Sequence, residues 1–181
     1  MNGEKKRERP AAEPYSDSEI AQLLFWLHSQ PKQRAHNATV VLSLGIGAGL
    51  TSKEIGDVRH VFVEDLRPDL HTDALVVNLI DATRCVWSFG PWVRLLAPLV
   101  DRTRGLDHVF EIKKSERRGN DVRRFLRTCS APGVELSFRR MRATFVREQL
   151  KHSAPVEVAF YIGEATHDQF EAFHNEGFQA T

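Results

Sequence analysis

Two short stretches of this 181-residue chain frame the residues that could do chemistry. The first is Gly49-Leu50-Thr51-Ser52-Lys53-Glu54-Ile55-Gly56-Asp57-Val58, where small residues open a short helix. Thr51 or Ser52 can cap it, Glu54 suits its first turn, and Ile55 and Val58 form its apolar face. The second runs from Leu136 to Phe145 and places Arg139, Arg140 and Arg142 on a helix that Ser137 can cap. Arginine fits phosphate because its planar guanidinium stays charged and can bond two oxygens at once. Between these stretches cluster Lys113, Lys114, Arg117, Arg118, Arg123, Arg124 and Arg127, and Arg147 and Lys151 follow. Past residue 152 there is no Lys or Arg, and Glu157, Glu164, Asp168, Glu171 and Glu176 take over. The cluster can track a nucleic-acid backbone, or it can be a solvated helix face with Glu111, Glu116 and Asp121 interspersed. A net charge of only +1, from 25 basic and 24 acidic residues, rests any DNA-binding case on how charge is distributed.

Other chemistries find little to work with. Cys85 and Cys129 lack metal-ligand spacing and read as buried thiols rather than a disulfide. His28, His36, His60, His71, His108 and His152 are scattered, so no metal site is expected. There is no glycine-rich phosphate loop and no hydrolase triad, and no cofactor is expected. Trp26, Trp87 and Trp92 read as core or sheet-face residues, and Phe170 and Phe173 as packing anchors. No apolar run approaches membrane-spanning length, so no membrane partner is expected. The run from Met1 to Arg9 lacks the apolar segment of a signal peptide, which makes the cytoplasm the expected compartment.

The elements that must position these groups follow from pattern. Residues 1–14, charged and holding Pro10 and Pro14, read as a disordered arm, with one domain over 15–181. Ser16-Asp17-Ser18-Glu19 forms a capping box, with Tyr15 and Ile20 as a hydrophobic staple. A helix with Leu23, Leu24 and Leu27 on one face ends at Pro31. A second helix spans about 33–44, where Gly45, Gly47 and Gly49 weaken it. Val61-Phe62-Val63, Leu75 to Ile80 and Arg84 to Phe89 are strand candidates, with a turn at Asp81-Ala82-Thr83. Gly90-Pro91 starts a helix to about Val100, with Pro98 near its end. Asn120 can cap a helix with Val122, Phe125 and Leu126; Pro155 opens another to Ile162; a last short one holds Phe170 and Phe173. Helices, a small three-stranded antiparallel sheet, then helices make an α+β, mostly helical domain.

That order, with the Gly49-Leu50 frame, Val109-Phe110, the Leu136 to Phe145 box and Tyr161-Ile162-Gly163, resembles the catalytic domain of tyrosine recombinases (phage integrases) from about Tyr15 to Phe173. The resemblance implies phosphoryl transfer. A tyrosine attacks a DNA phosphodiester, two arginines hold the developing charge, and a lysine and histidines move protons. Carried over, the first arginine falls on Thr51, and the hairpin lysine falls near Asp81 to Arg84, where no lysine stands. The box histidine falls on Arg139, and the later histidine or tryptophan on Glu164. The nucleophile falls on Phe173, which has no oxygen. Arg142 alone matches its role, as a phosphate ligand or as a relic paired with an acid such as Glu164. His167 and His174 lie near the expected site, but the chain's two tyrosines, Tyr15 and Tyr161, read as packing residues.

The resemblance therefore implies an integrase-like, DNA-binding protein associated with recombination, derived from a mobile element and catalytically inactive. Arg84, Lys113, Lys114, Arg117, Arg118, Arg123, Arg124, Arg139, Arg140 and Arg142 are the candidate DNA contacts, aimed at the backbone. The alternative is a protein-interaction or regulatory module that kept the fold without nucleic acid. The C-terminal segment from about Glu164 to Thr181 could then mediate self-association or bind a recombinase partner. An active recombinase with an unconventional nucleophile ranks last.

Overall fold

Ser16 accepts the Glu19 amide at 3.3 Å while the Glu19 carboxylate accepts the Ser16 amide at 2.8 Å, so the expected box starts α1 (Asp17–His28). The computed structural model describes residues 12–67, 72–78, 83–100, 108–111 and 118–152. Residues 1–11 of the arm expected over 1–14, and the expected elements past residue 152, lie outside these. The end of that arm is tied down, because the Glu13 carbonyl accepts from Arg140 Nε at 3.1 Å.

Helix α2 (Lys32–Gly47) runs three residues beyond the span the sequence suggests and is buried through its C-terminal two-thirds. A helix enclosed on every side needs no polar stripe, which is why its pattern lacks a clean apolar face. Its glycines serve close packing. A Cβ at Gly45 would stand 2.7 Å from Met141 Sδ, and one at Gly47 would stand 2.8 Å from Trp92 Cβ. The bare backbone lets α6 (Phe138–Gln149) and α4 (Trp92–Val100) lie directly on α2. Their propensity cost, about 1 kcal/mol each, is offset by apolar area buried at about 25 cal/mol per Å². Gly49 follows at φ +65° with the Phe145 ring 2.5 Å from a would-be Cβ, so it turns the chain into α3 (Ser52–Asp57) where a side chain would be strained and crowded.

After α3, the strands β1 (His60–Arg67), β2 (Thr72–Asn78) and β3 (Thr83–Phe89) pair antiparallel in chain order, with a register irregularity between Glu64 and Arg67. Helix α4 passes through Pro98 to Val100 rather than stopping at it. Helix α5 (Arg118–Thr128) packs against α3 and includes Asn120 in its first turn, so Asn120 is not its cap. A tight turn bridged between Ala131 and Val134 leads to α6. The described architecture is mostly helical, and its core draws on α1, α2, α4, α5 and α6.

Tyr15 reaches further than a staple on α1. Its ring is fully buried, its amide donates to Thr144 Oγ1 at 2.8 Å, and its hydroxyl donates to the Glu135 carbonyl at 2.9 Å. The same hydroxyl accepts the Ser137 amide at 2.9 Å, where Ser137 makes no side-chain cap of its own. Arg147 adds a 2.8 Å bond to the Tyr15 carbonyl. The start of the domain is thereby clasped to α6, close to the box that carries Arg139 and Arg142.

Candidate nucleic-acid interface

Three elements meet around one open cleft of about 600 Å³. From α3 come Thr51 and Ser52. Thr51 occupies the N-cap position, its hydroxyl accepting from the Glu54 amide at 3.3 Å and its amide donating to the Glu54 carboxylate at 2.7 Å. That reciprocal box ties Glu54 to the turn. From α5 come Arg123 and Arg127, four residues apart and so on one helix face. From the start of α6 come Arg139 and Arg142, three apart and likewise on one face. Leu50, Leu126, Leu136 and Phe138 supply the apolar lining. Four guanidinium groups thus border a single cleft, and no carboxylate is among its described lining residues.

One contact joins two of these walls. Arg123 Nε donates to Ser52 Oγ at 2.7 Å, and Ser52 is buried. The approach of α5 to α3 that permits it depends on Gly119, where a Cβ would stand 2.9 Å from Lys53 Cα. The chain entering the basic segment is also anchored. The Asn37 amide grips Glu111 by two 3.0 Å bonds to its backbone, and the His36 ring lies 3.0 Å from the Val109 carbonyl through Nε2.

The remaining candidates divide. Arg140 is committed elsewhere: Nη2 bonds both Glu19 oxygens at 2.8 Å, and its guanidinium stacks 4.3 Å over the Tyr15 ring. It holds α1 to α6 and is not among the cleft residues. Arg124 is exposed on another face of α5, 3.6 Å from Asp121. Arg84 lies on β3 opposite Val77. Arg118 opens α5. Lys113, Lys114, Arg117, Glu164 and Phe173 lie outside the described residues. Ser52 was not legible as a site member, and Arg127 was read as part of the basic cluster but not among the candidate contacts, although the four-residue spacing of Arg123 and Arg127 was a signal for a shared face.

The described tyrosine is buried and held in the fold. Burial pushes the Tyr15 phenol above its ordinary value, outweighing the hydrogen bond from Ser137 and the charge of Arg140. Cys129 is a free, half-buried thiol, and burial raises it too. Among the described residues no group of His, Cys, Asp and Glu could hold a metal ion, and no helix is long and apolar enough to cross a membrane.

Comparison with solved structures finds the chain similar in fold to the integrase of the Tn1549 transposon (residues 82–397), solved in complex with circular intermediate DNA. The match covers 94% of this chain and 68% of that one, with a TM-score of 0.51. The fold is integrase-like. Identity across it is 13%, so the likeness concerns the path of the chain and not its side chains. No family model matches the chain, and no curated protein matches it.

Proposed function

We propose that this protein binds the phosphate backbone of DNA through the cleft bordered by Arg123, Arg127, Arg139 and Arg142, within an integrase-like domain that does not cleave strands. The observation that carries the reading is the convergence of these four guanidiniums on one cleft. The integrase-like fold supports a recombination setting, since the similar integrase was solved with DNA. Loss of cleavage is supported by Thr51 as an uncharged helix cap, by Phe173 at the nucleophile position of the resemblance, and by the engagement of Tyr15 in the fold.

The test is titration of duplex DNA at two salt concentrations, with a nicked suicide duplex as a second arm. Binding is expected at low salt and should weaken steeply as salt rises, because neutralised phosphates release counterions. No covalent adduct is expected. Absence of binding at low salt removes the reading, and an adduct restores the active recombinase.

A second reading, the interaction module, is favoured by Phe25. It stands 79% exposed on α1, beside a concavity of about 790 Å³ shared with Trp26 and the turn at Pro132 and Gly133. A large exposed aromatic beside an apolar hollow suits a protein partner. Phe25→Ser should lower the mass seen by light scattering at high protein concentration if that surface mediates self-association. An unchanged mass counts against it.

A further inference from the structure

We infer that the hollow on α1 is one half of a two-fold contact between copies of this chain, in which Phe25 of each copy enters the hollow of the other. The inference rests on the interaction reading above and names the partner as a second copy. Phe25 is 79% exposed and stands on the rim of the hollow. A lone exposed aromatic is ordinary, but one set beside an apolar recess of about 790 Å³ marks a contact surface. Knob and recess on one face make that surface complementary to itself. A two-fold axis beside Phe25 seats both knobs in both recesses at once, since residue i meets j while j meets i.

Charge favours the second copy over another partner. Near a two-fold axis each side chain lies close to its own counterpart, so any charge there is opposed by a like charge. None of the nine described residues lining the hollow is charged, in a chain where 27% of residues are. The polar ones are Gln22, Ser29, Gln30 and Ser130, whose amides and hydroxyls both donate and accept and so can bond their own copies. Charges of opposite sign flank the patch. Asp17, its side chain 97% exposed in the first turn of α1, approaches Arg147 at 3.7 Å, and Lys32 is exposed just past the helix end. A two-fold axis across α1 sets the two helices antiparallel and brings Asp17 of one copy toward Lys32 of the other.

The recess is formed before a partner arrives. Ser29 Oγ and Gln30 Nε2 donate to the Trp26 carbonyl at 2.7 and 3.1 Å, which holds two rim side chains to α1. The other wall is the Pro132-Gly133 turn, closed by the Val134 amide on the Ala131 carbonyl at 3.1 Å with Gly133 at φ +74°. Docking there orders few groups, so little affinity is lost to entropy.

The test follows the mass of the full chain by analytical ultracentrifugation as concentration rises, with thermal melts confirming that each variant folds. The 20.6 kDa chain should approach twice its mass and stop there, because a two-fold contact closes on itself. Phe25→Ser should weaken the dimer about tenfold or more. Ala21→Trp, at an exposed position lining the recess, fills it and should do the same while leaving Phe25 in place. Mixing the two variants should restore a dimer of intermediate affinity. The Ala21→Trp chain still has its Phe25, and the Phe25→Ser chain still has its recess. Wild-type dimer affinity should change by less than about twofold from low to high salt, since exposed pairs such as Asp17 with Lys32 are worth little. A steep loss with salt assigns association to charged segments and overturns the contact. So does a mixture that stays monomeric. Mass that climbs past the dimer but is lost in Phe25→Ser overturns the two-fold arrangement and leaves self-association through this surface standing. A wild type that stays monomeric at every concentration overturns both and leaves the DNA reading untouched.

Discussion

At Glu19 a single carboxylate serves three purposes. It closes the capping box with the Ser16 amide, takes both bonds from Arg140, and so holds that guanidinium over Tyr15. The Ser16 hydrogen bond first, and the Arg140 bond second, hold its pKa below the ordinary 4.5. A carboxylate with a lowered folded pKa adds stability above its unfolded value and loses it as pH falls through the folded one. Glu148 behaves alike: burial pushes its carboxyl up, but hydrogen bonds from Lys151 and Arg147 outweigh it. Glu19→Gln should therefore lower the urea midpoint at neutral pH, and its gap to the wild type should close as pH falls below about 4.5. A gap that persists unchanged in acid would show that the charge on Glu19 does no work. The sequence made the capping box plain, since Ser16 and Glu19 are three residues apart. It could not show Arg140 as the partner, because 121 positions separate them.

Among the elements, α5 against α3 decides whether the cleft exists. Alanine at position 119 would raise helix propensity by about 1 kcal/mol. It would also put a Cβ 2.9 Å from Lys53 Cα, a backbone atom that cannot swing aside. Overpacking of this kind costs about 1–3 kcal/mol, so Gly119→Ala should be net destabilising and should part Arg123 from Ser52. Chemical denaturation and DNA affinity check both effects; a more stable variant with unchanged affinity contradicts the account. The same logic corrects the reading of α2. Gly45 and Gly47 look like helix weakeners in one dimension, yet the helix runs through both because Met141 and Trp92 occupy the space their side chains would need. The cap of α3 was legible, since Thr51 and Glu54 stand three apart and act locally. The cap of α6 was not. Ser137 sits at the right position, but its amide is taken by Tyr15 from the far end of the domain.

For the whole molecule, near-neutrality conceals segregation. Twenty-five basic and 24 acidic residues nearly cancel, yet past residue 152 the chain carries no basic residue. Binding that depends on one arginine-lined cleft should show a modest counterion count. Each phosphate neutralised there adds about −0.9 to the slope of log affinity against log salt. The DNA titration reads this directly, and a flat response would place the binding elsewhere than on phosphate. The proposed reading, with Thr51, Arg139, Glu164 and Phe173 at the positions where the resemblance places catalytic groups, separates scaffold from chemistry, since function resides in sites carried on folds.

The sequence by itself determined what acts over a few residues: the caps of α1 and α3, the mostly helical order, and the absence of a tyrosine at position 173. Those features follow from local hydrogen bonds, hydrophobic period and atom content, none of which needs a distant partner. Tertiary structure decided which arginines share a space. Arg140 and Arg142 are two residues apart, yet one is bound to Glu19 and the other borders the cleft. Arg123 and Ser52 are 71 positions apart, yet they meet at 2.7 Å. Helix phase turns neighbours in the chain to different faces, and the packing of α5 on α3 makes neighbours of residues the chain keeps apart.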